Sequence, residues 1–323
     1  MTRMLTGIQP SGELHLGNYF GAVQPCLQHQ EDPSVNLLVF LASYHALTTV
    51  HDGEKLRSHS EMLAADLLAL GLDPERVVIF RQSDVPEVAE LALLLSMVTG
   101  MGLLQRAHSY KDKVAKGITP NVGLFFYPVL MAADILIYQS DLVPVGRDQL
   151  QHVEMARDMA IRFNETFGQT FGLPEPLISE APRVPGIDGQ KMSKSYHNTI
   201  SPFDEGEDLR TKVAAIKTSS VPFGEPLPME GCTIFTLLEL LCEDTEELHE
   251  FFRTGRRGSK PFGYGHAKQV LATRIETRFA EARERRRGLT PATIQEALHK
   301  GATRASGLAR ATLGACREAC GVG

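Results

Sequence analysis

The stretch GIQPSGELHLGN, residues 7–18, sets Gln9, Pro10, Ser11, Gly12, His15, Gly17 and Asn18 between an apolar start and a helical pattern. With Met4–Ile8 as a first strand, this turn falls at its carboxyl end, beside a helix N-terminus. Free N–H groups and the helix dipole favour anions there. His15 and Asn18 can donate to phosphoryl oxygens; the plainer alternative is a turn whose Ser and Asn only cap the helix. Neither G-x-G-x-x-G nor G-x-x-x-x-G-K-[ST] occurs in the chain, so the usual glycine cradles are absent.

Two further groups carry chemistry. KMSKS, residues 191–195, puts Lys191 and Lys194 three apart in a loop with Gly186 and Gly189, suited to delivering positive charge; a bare K-x-x-K is also common on solvated loops. In FFYPVLMAADILIY, Tyr127, Met131 and Asp134 are spaced i, i+4, i+7 and share one helix face. Asp134 stands among Met, Ala, Ile and Leu, where an unpaired carboxylate is costly. It is a surface Asp, an Asp paired with an arginine, or an acceptor built for a donor-only ligand. An indole N–H is such a donor, and a Met thioether packs well on an aromatic ring. A phenol O–H also satisfies a carboxylate, so the residues alone leave tryptophan and tyrosine open. Asp148 and Gln149, where a strand meets the next helix, can accept ribose hydroxyls and reach an amino group, or serve as cap and first turn.

The elements that must position these groups alternate. Met4–Ile8, Val35–Leu41, Val77–Phe80 and Leu142–Val145 read as buried parallel strands. Helical patterns cover Gly17–Gln30, Gly53–Leu70, Val88–Gly100 and Asp148–Phe163, with Pro25 set to kink the first or start it late. This order predicts an α/β fold, a Rossmann-type doubly wound parallel sheet, interrupted by an insertion at about 103–127. The Pro/Gly-rich 172–189 reads as loop. Beyond about Pro202 the pattern is helical and strandless, with Ile234–Leu241, Tyr264–Arg286 and a helix opening at Thr290–Pro291.

Composition is that of a globular chain of 323 residues, 43% hydrophobic and 22% charged. The start lacks a signal-peptide h-region, and 123–138 is too short and polar to span a bilayer. Five cysteines without a C-x-x-C pair point to a reduced, cytoplasmic protein, and no His/Cys grouping has structural-metal spacing. Net charge is −6, yet residues 253–287 hold eleven Lys/Arg against three Asp/Glu. That run is a solvated face or a phosphate-backbone contact.

The H-x-G-N element of the first turn together with a late KMSKS loop resembles the class I aminoacyl-tRNA synthetases. GIQPSGELHLGNYFGA, YPVLMAADILIY and DLVPVGRDQLQHVEMARDMAIRFN narrow the resemblance to the bacterial tryptophanyl branch, over nearly the whole chain. It implies ATP with Mg²⁺, L-tryptophan and tRNA(Trp) as ligands, a homodimer, and no membrane. Its catalytic set falls on Lys191, Lys194, His15, Asn18 and Lys113. ATP falls to Gln9, Pro10, Ser11, Gly17, Asn18, Gly146, Asp148, Met192, Ser193 and Lys194. Tryptophan falls to Asp134, Tyr127, Met131, Gln149 and His45. The chemistry agrees: carboxylate attack on an α-phosphate builds charge on departing pyrophosphate, and cations delivered there act on the transition state. Expected domains are a catalytic unit 1–196 with the KMSKS loop at 186–196, a helical anticodon-binding unit 197–289, and a helix 290–323 packing back on the catalytic unit. Residues 103–140 are the expected dimer surface. Arg147, where an acid is more usual, and YHN after KMSKS depart from the pattern. A tyrosyl enzyme, a non-catalytic paralogue and a small adenylyltransferase are the competitors.

Overall fold

The computed structural model describes residues 1–107, 121–178, 182–242 and 245–323, with the backbone but not the side chain of Asp148. Lys113 and most of the expected insertion lie outside them.

Strand β1 (Thr2–Ile8) pairs in parallel with β2 (Val35–Leu41) along its full length, from Thr2 opposite Val35 to Ile8 opposite Leu41. β3 (Val78–Arg81) lies beyond β2. On the other side of β1 come β4 (Leu142–Val145) and β5 (Glu175–Ile178), giving the order β3-β2-β1-β4-β5, all parallel. The chain builds outward from β1 in one direction, then returns to build in the other. The β1/β4 boundary is therefore the switch point, where a crevice opens at the strands' carboxyl ends. β5 falls inside the span read as loop. It is a four-residue edge strand containing Pro176, and such a segment carries no buried apolar run to reveal it.

Alternate residues of the central strands feed two cores. Met4, Leu37 and Val39 join Phe235, Phe252, Ile275 and Phe279 of the helical region. Leu5, Leu38 and Phe40 join Phe80, Val129, Ile135, Ala305 and Ala309 on the opposite face. Pro25 opens the helix Gln24–Gln30, and a π-helical turn at Tyr19–Val23 precedes it. The pattern read as one helix over Tyr264–Arg286 is two, Tyr264–Arg278 and Ala280–Gly288. The break comes at Phe279, whose ring is buried edge-on to Tyr19 at 4.8 Å. The region read as strandless holds one small hairpin, β6 (Arg256–Arg257) against β7 (Lys260–Pro261).

Thr290 caps the last helix, Pro291–Cys320, by accepting the Thr293 N–H at 3.2 Å. This helix crosses β3 at Gly301, where a Cβ would sit 1.8 Å from the Ile79 carbonyl oxygen. Among the described residues, no helix is long and apolar enough to cross a membrane.

Candidate functional site

The first turn is built by its own backbone. Ser11 N–H donates to the Gln9 carbonyl at 2.9 Å, and Gly12 takes φ 108°, open only to glycine at low cost. His15 caps the short helix Leu16–Asn18 reciprocally: its Nδ1 accepts the Asn18 N–H, and Asn18 Oδ1 accepts the His15 N–H, both at 3.3 Å. With Nδ1 occupied as an acceptor, Nε2 is the nitrogen that carries the proton. Burial, then the charges of Lys194 and Lys191, push His15 down to about 4, so at neutral pH it is an uncharged donor. A Cβ on Gly17 would stand 2.9 Å from the His15 ring and 3.6 Å from Met192, so glycine lets the two motifs close on each other.

The KMSKS loop is docked on that turn. Lys194 Nζ donates to Ser11 Oγ at 3.1 Å and to the Gly12 carbonyl at 3.0 Å. Burial holds this ammonium below its ordinary pKa, with Asp66 and Glu13 pulling the other way. Met192 is buried and Lys191 exposed. Asn198 pins the loop from below: its Oδ1 accepts the Ser193 N–H at 2.8 Å, and its Nδ2 donates to Asp188 at 2.7 Å and to the Lys191 carbonyl at 3.2 Å. His197 takes φ 52°, in the left-handed region. The YHN segment thus supplies the asparagine that anchors the loop.

A cavity of about 480 Å³ opens at the switch point. Gln9, His45, Tyr127, Met131, Asp134, Gly146 and Gln149 all line it, with Gly7, Val143 and His152. Asp134 is 1% exposed. Its partner is no arginine: His45 Nε2 lies 2.8 Å from Oδ2, and Gln82 Nε2 donates to Oδ1 and Oδ2, each at 2.8 Å. Burial raises the carboxyl above its usual range, and the two contacts oppose that rise. A carboxylate has about four acceptor positions, so three contacts leave one. Tyr127 OH meets His152 Nε2 at 3.0 Å, which fixes the phenol on the cavity wall. Pro10, Ser11, His15, Gly17, Asn18, Met192, Ser193 and Lys194 gather at the adjoining turn and loop, outside the cavity's lining. One end of the site thus offers fixed cations and N–H donors. The other offers a buried acceptor behind an aromatic wall.

A family model for the class I tRNA synthetases (W and Y) matches residues 1–280. The chain belongs to that family. Its relatives include the tryptophan–tRNA ligase of Campylobacter jejuni (strain RM1221), 47% identical over 311 residues, covering 95% of this chain and 96% of that one. The tryptophan–tRNA ligase of Fusobacterium nucleatum is 46% identical over 328 residues, covering 100% and 98%. Among solved structures, the tryptophanyl-tRNA synthetase of Campylobacter jejuni complexed with ADP and tryptophan superposes with a TM-score of 0.91 at 45% identity, covering 99% and 100%. In this synthetase, sequence reasoning missed Gln82, His152 and Asn198. Gln82 sits in a polar turn directly after β3, where nothing local marks it, and Asn198 had only its place in the YHN that follows KMSKS. His152 had one signal, its place on the helix that follows Gln149.

Proposed function

We propose that this synthetase is a tryptophan–tRNA ligase. A carboxylate oxygen of tryptophan attacks the α-phosphorus of ATP, the bond to the bridging oxygen breaks, and pyrophosphate leaves. The tryptophanyl group then passes from the adenylate to the terminal ribose of tRNA(Trp). The observation that carries the reading is the buried Asp134 carboxylate, with one acceptor position left, in the wall of a switch-point cavity. It receives the indole N–H, with Tyr127 and Met131 against the ring. Gln149 reaches the amino group, and His45 stands beside Asp134 in the pocket wall.

Gln9, Gly17, Asn18, Gly146, Asp148 and the KMSKS backbone serve ATP, and neutral His15 donates through Nε2. Lys191, Lys194 and Lys113 meet the phosphates. The Lys194 contacts to Ser11 and Gly12 support this, since they put a cation on the phosphate turn. Mg²⁺ carried by ATP would supply further positive charge for the pyrophosphate. No group of three or more His, Cys, Asp or Glu among the described residues forms a cage for it. We assign catalysis to 1–196, tRNA anticodon contact to 197–289 and a bracing role to 290–323, in a cytoplasmic enzyme.

The enzyme is a homodimer. The apolar side chains of Leu93, Met97, Met101 and Val122, 54–81% exposed, support contact with a second copy.

The test is ATP–pyrophosphate exchange with each of the twenty amino acids, without tRNA. Exchange with tryptophan alone is expected. Exchange with tyrosine would overturn the pocket, and exchange with none would overturn the enzyme.

A further inference from the structure

The Asp134 carboxylate faces the cavity on one side and Gln82 on the other. Gln82 is fully buried and does not line the cavity, so it meets no substrate. It lies in the short 3₁₀ turn Gln82–Asp84, directly after β3. Its Oε1 accepts the Tyr44 N–H at 2.9 Å. That bond decides which way the amide points, because only its NH₂ end can then face the carboxylate. The neighbouring Ser83 N–H donates to Ser43 Oγ at 3.1 Å, so the turn is tied twice to the segment after β2. Three segments thereby hold one acid: the turn after β3, the helix Ser43–Ala46 after β2, which supplies His45, and the helix Val122–Ile137 that carries Asp134.

We infer that Gln82 is a positioning residue for amino-acid selection: its NH₂ group, aimed by the Tyr44 backbone, keeps Asp134 ionised and turned so that one carboxylate position accepts only from a donor. The inference rests on Asp134 taking the indole N–H. With its other positions already facing the Gln82 and His45 donors, a protonated Asp134 would turn its O–H toward the indole N–H, donor against donor, and tryptophan would lose its anchor. Burial drives Asp134 toward that protonated form, and Gln82 and His45 oppose it. The other titratable groups packed here are the Tyr138 phenol, with Glu87 beyond it, and the Tyr127–His152 pair. The Tyr138 OH makes no hydrogen bond among the described residues and so does not stand in for Gln82.

The amide makes a prediction that mere packing does not. Gln82→Met keeps an unbranched side chain and removes the donor. Gln82→Glu keeps the shape and can donate to Asp134 only while it is protonated. The experiment is the tryptophan KM in ATP–pyrophosphate exchange from pH 5.5 to 9. Alanine carrying a 3-benzothienyl ring, which lacks the N–H, is run beside it. In the parent enzyme, tryptophan is expected to be preferred over the analogue. In Gln82→Met the tryptophan KM is raised roughly tenfold or more at low pH and recovers as pH rises and Asp134 ionises. In Gln82→Glu the slope reverses: KM is lowest at acid pH and rises as the second carboxylate ionises beside the first. His45 is common to both variants, so its titration cannot produce opposite slopes. ATP KM and kcat stay near the parent values.

Parallel pH profiles in the two variants, or equal loss for tryptophan and the analogue at every pH, would overturn the inference and leave Gln82 a structural residue. A parent enzyme that does not separate tryptophan from the analogue would overturn the reading of Asp134 itself. If either variant fails to fold, the slope of the other is read against the parent enzyme, in which His45 is the same, and a slope equal to the parent's overturns the inference.

Discussion

The role proposed for Lys194 rests on where its charge is held as much as on the charge itself. Its ammonium is half-buried on the first turn, in contact with Ser11 and Gly12, before any phosphate is considered. A cation held there meets charge as it develops on pyrophosphate, with little reorganisation left to make. Lys194→Ala should therefore lower the rate of adenylate formation by roughly a hundred- to thousandfold, about 2.7–4 kcal/mol. Tryptophan affinity should barely move. Rapid-quench adenylation alongside equilibrium binding separates the two, and a change confined to affinity would rule out a transition-state role. Asp134 follows the opposite rule. Its contacts are made in the ground state, so Asp134→Ala should cost tryptophan binding and leave ATP binding largely intact, as calorimetry with each ligand would read.

At the scale of elements, the last helix braces the sheet that carries the site. It crosses β3 so closely that Gly301 has backbone where any other residue has a Cβ. Arg81 reaches across to Gln295 at 2.9 Å, and Arg310 and Arg317 pair with Glu87 and Glu90. Gly301→Ala must push helix and strand apart. The expected cost is about 1–3 kcal/mol, the range for overpacking a tight interface. Urea unfolding measures it, and an unchanged midpoint would mean that the crossing is looser than it stands. Because β3 leads directly into Gln82, the same change should also raise the tryptophan KM, more than the ATP KM.

At the scale of the molecule, the basic run 253–287 divides in two. Arg283, Arg285, Arg286 and Arg287 pair with Glu205, Glu281, Asp66, Glu205 and Glu284, so the ARERRRG half is taken up in tying the helical region to itself and to the sheet unit. Arg256, Arg257, Lys260 and Arg274 form no ion pair among the described residues. Arg257, Lys260 and Arg274 line one cleft with Phe262 and His266. Tested together, Arg257→Glu and Lys260→Glu should raise the KM for tRNA in aminoacylation at least tenfold and weaken its salt dependence. Tryptophan-dependent exchange should be unchanged. An unaltered tRNA KM would remove the hairpin from the tRNA surface.

The Asp66–Arg286 pair, at 2.8 Å, adds a pH signature. Burial pushes Asp66 up to about 6, against the pull of Arg286. The folded protein then keeps a proton that the unfolded chain releases near its ordinary value of 3.8. Stability contributed by this site is highest below that value and falls as pH rises toward 6. Asp66→Asn should flatten that fall, read as unfolding midpoints between pH 4 and pH 7.

By itself, the sequence determined whatever is written within a few consecutive residues: the alternating strands, the H-x-G-N turn, the KMSKS loop and the Tyr127–Met131–Asp134 face. These are local because strand period, helix period and turn chemistry act over one or two turns of chain. Tertiary structure alone decided who touches them. Gln82 meets Asp134 across 52 positions and Asp66 meets Arg286 across 220. No local period encodes such pairs, because they exist only once both faces of the sheet have been covered. The same holds for β5, an edge strand defined by its neighbour rather than its own residues. It holds too for the arginines, whose availability depends on which acids the fold brings beside them.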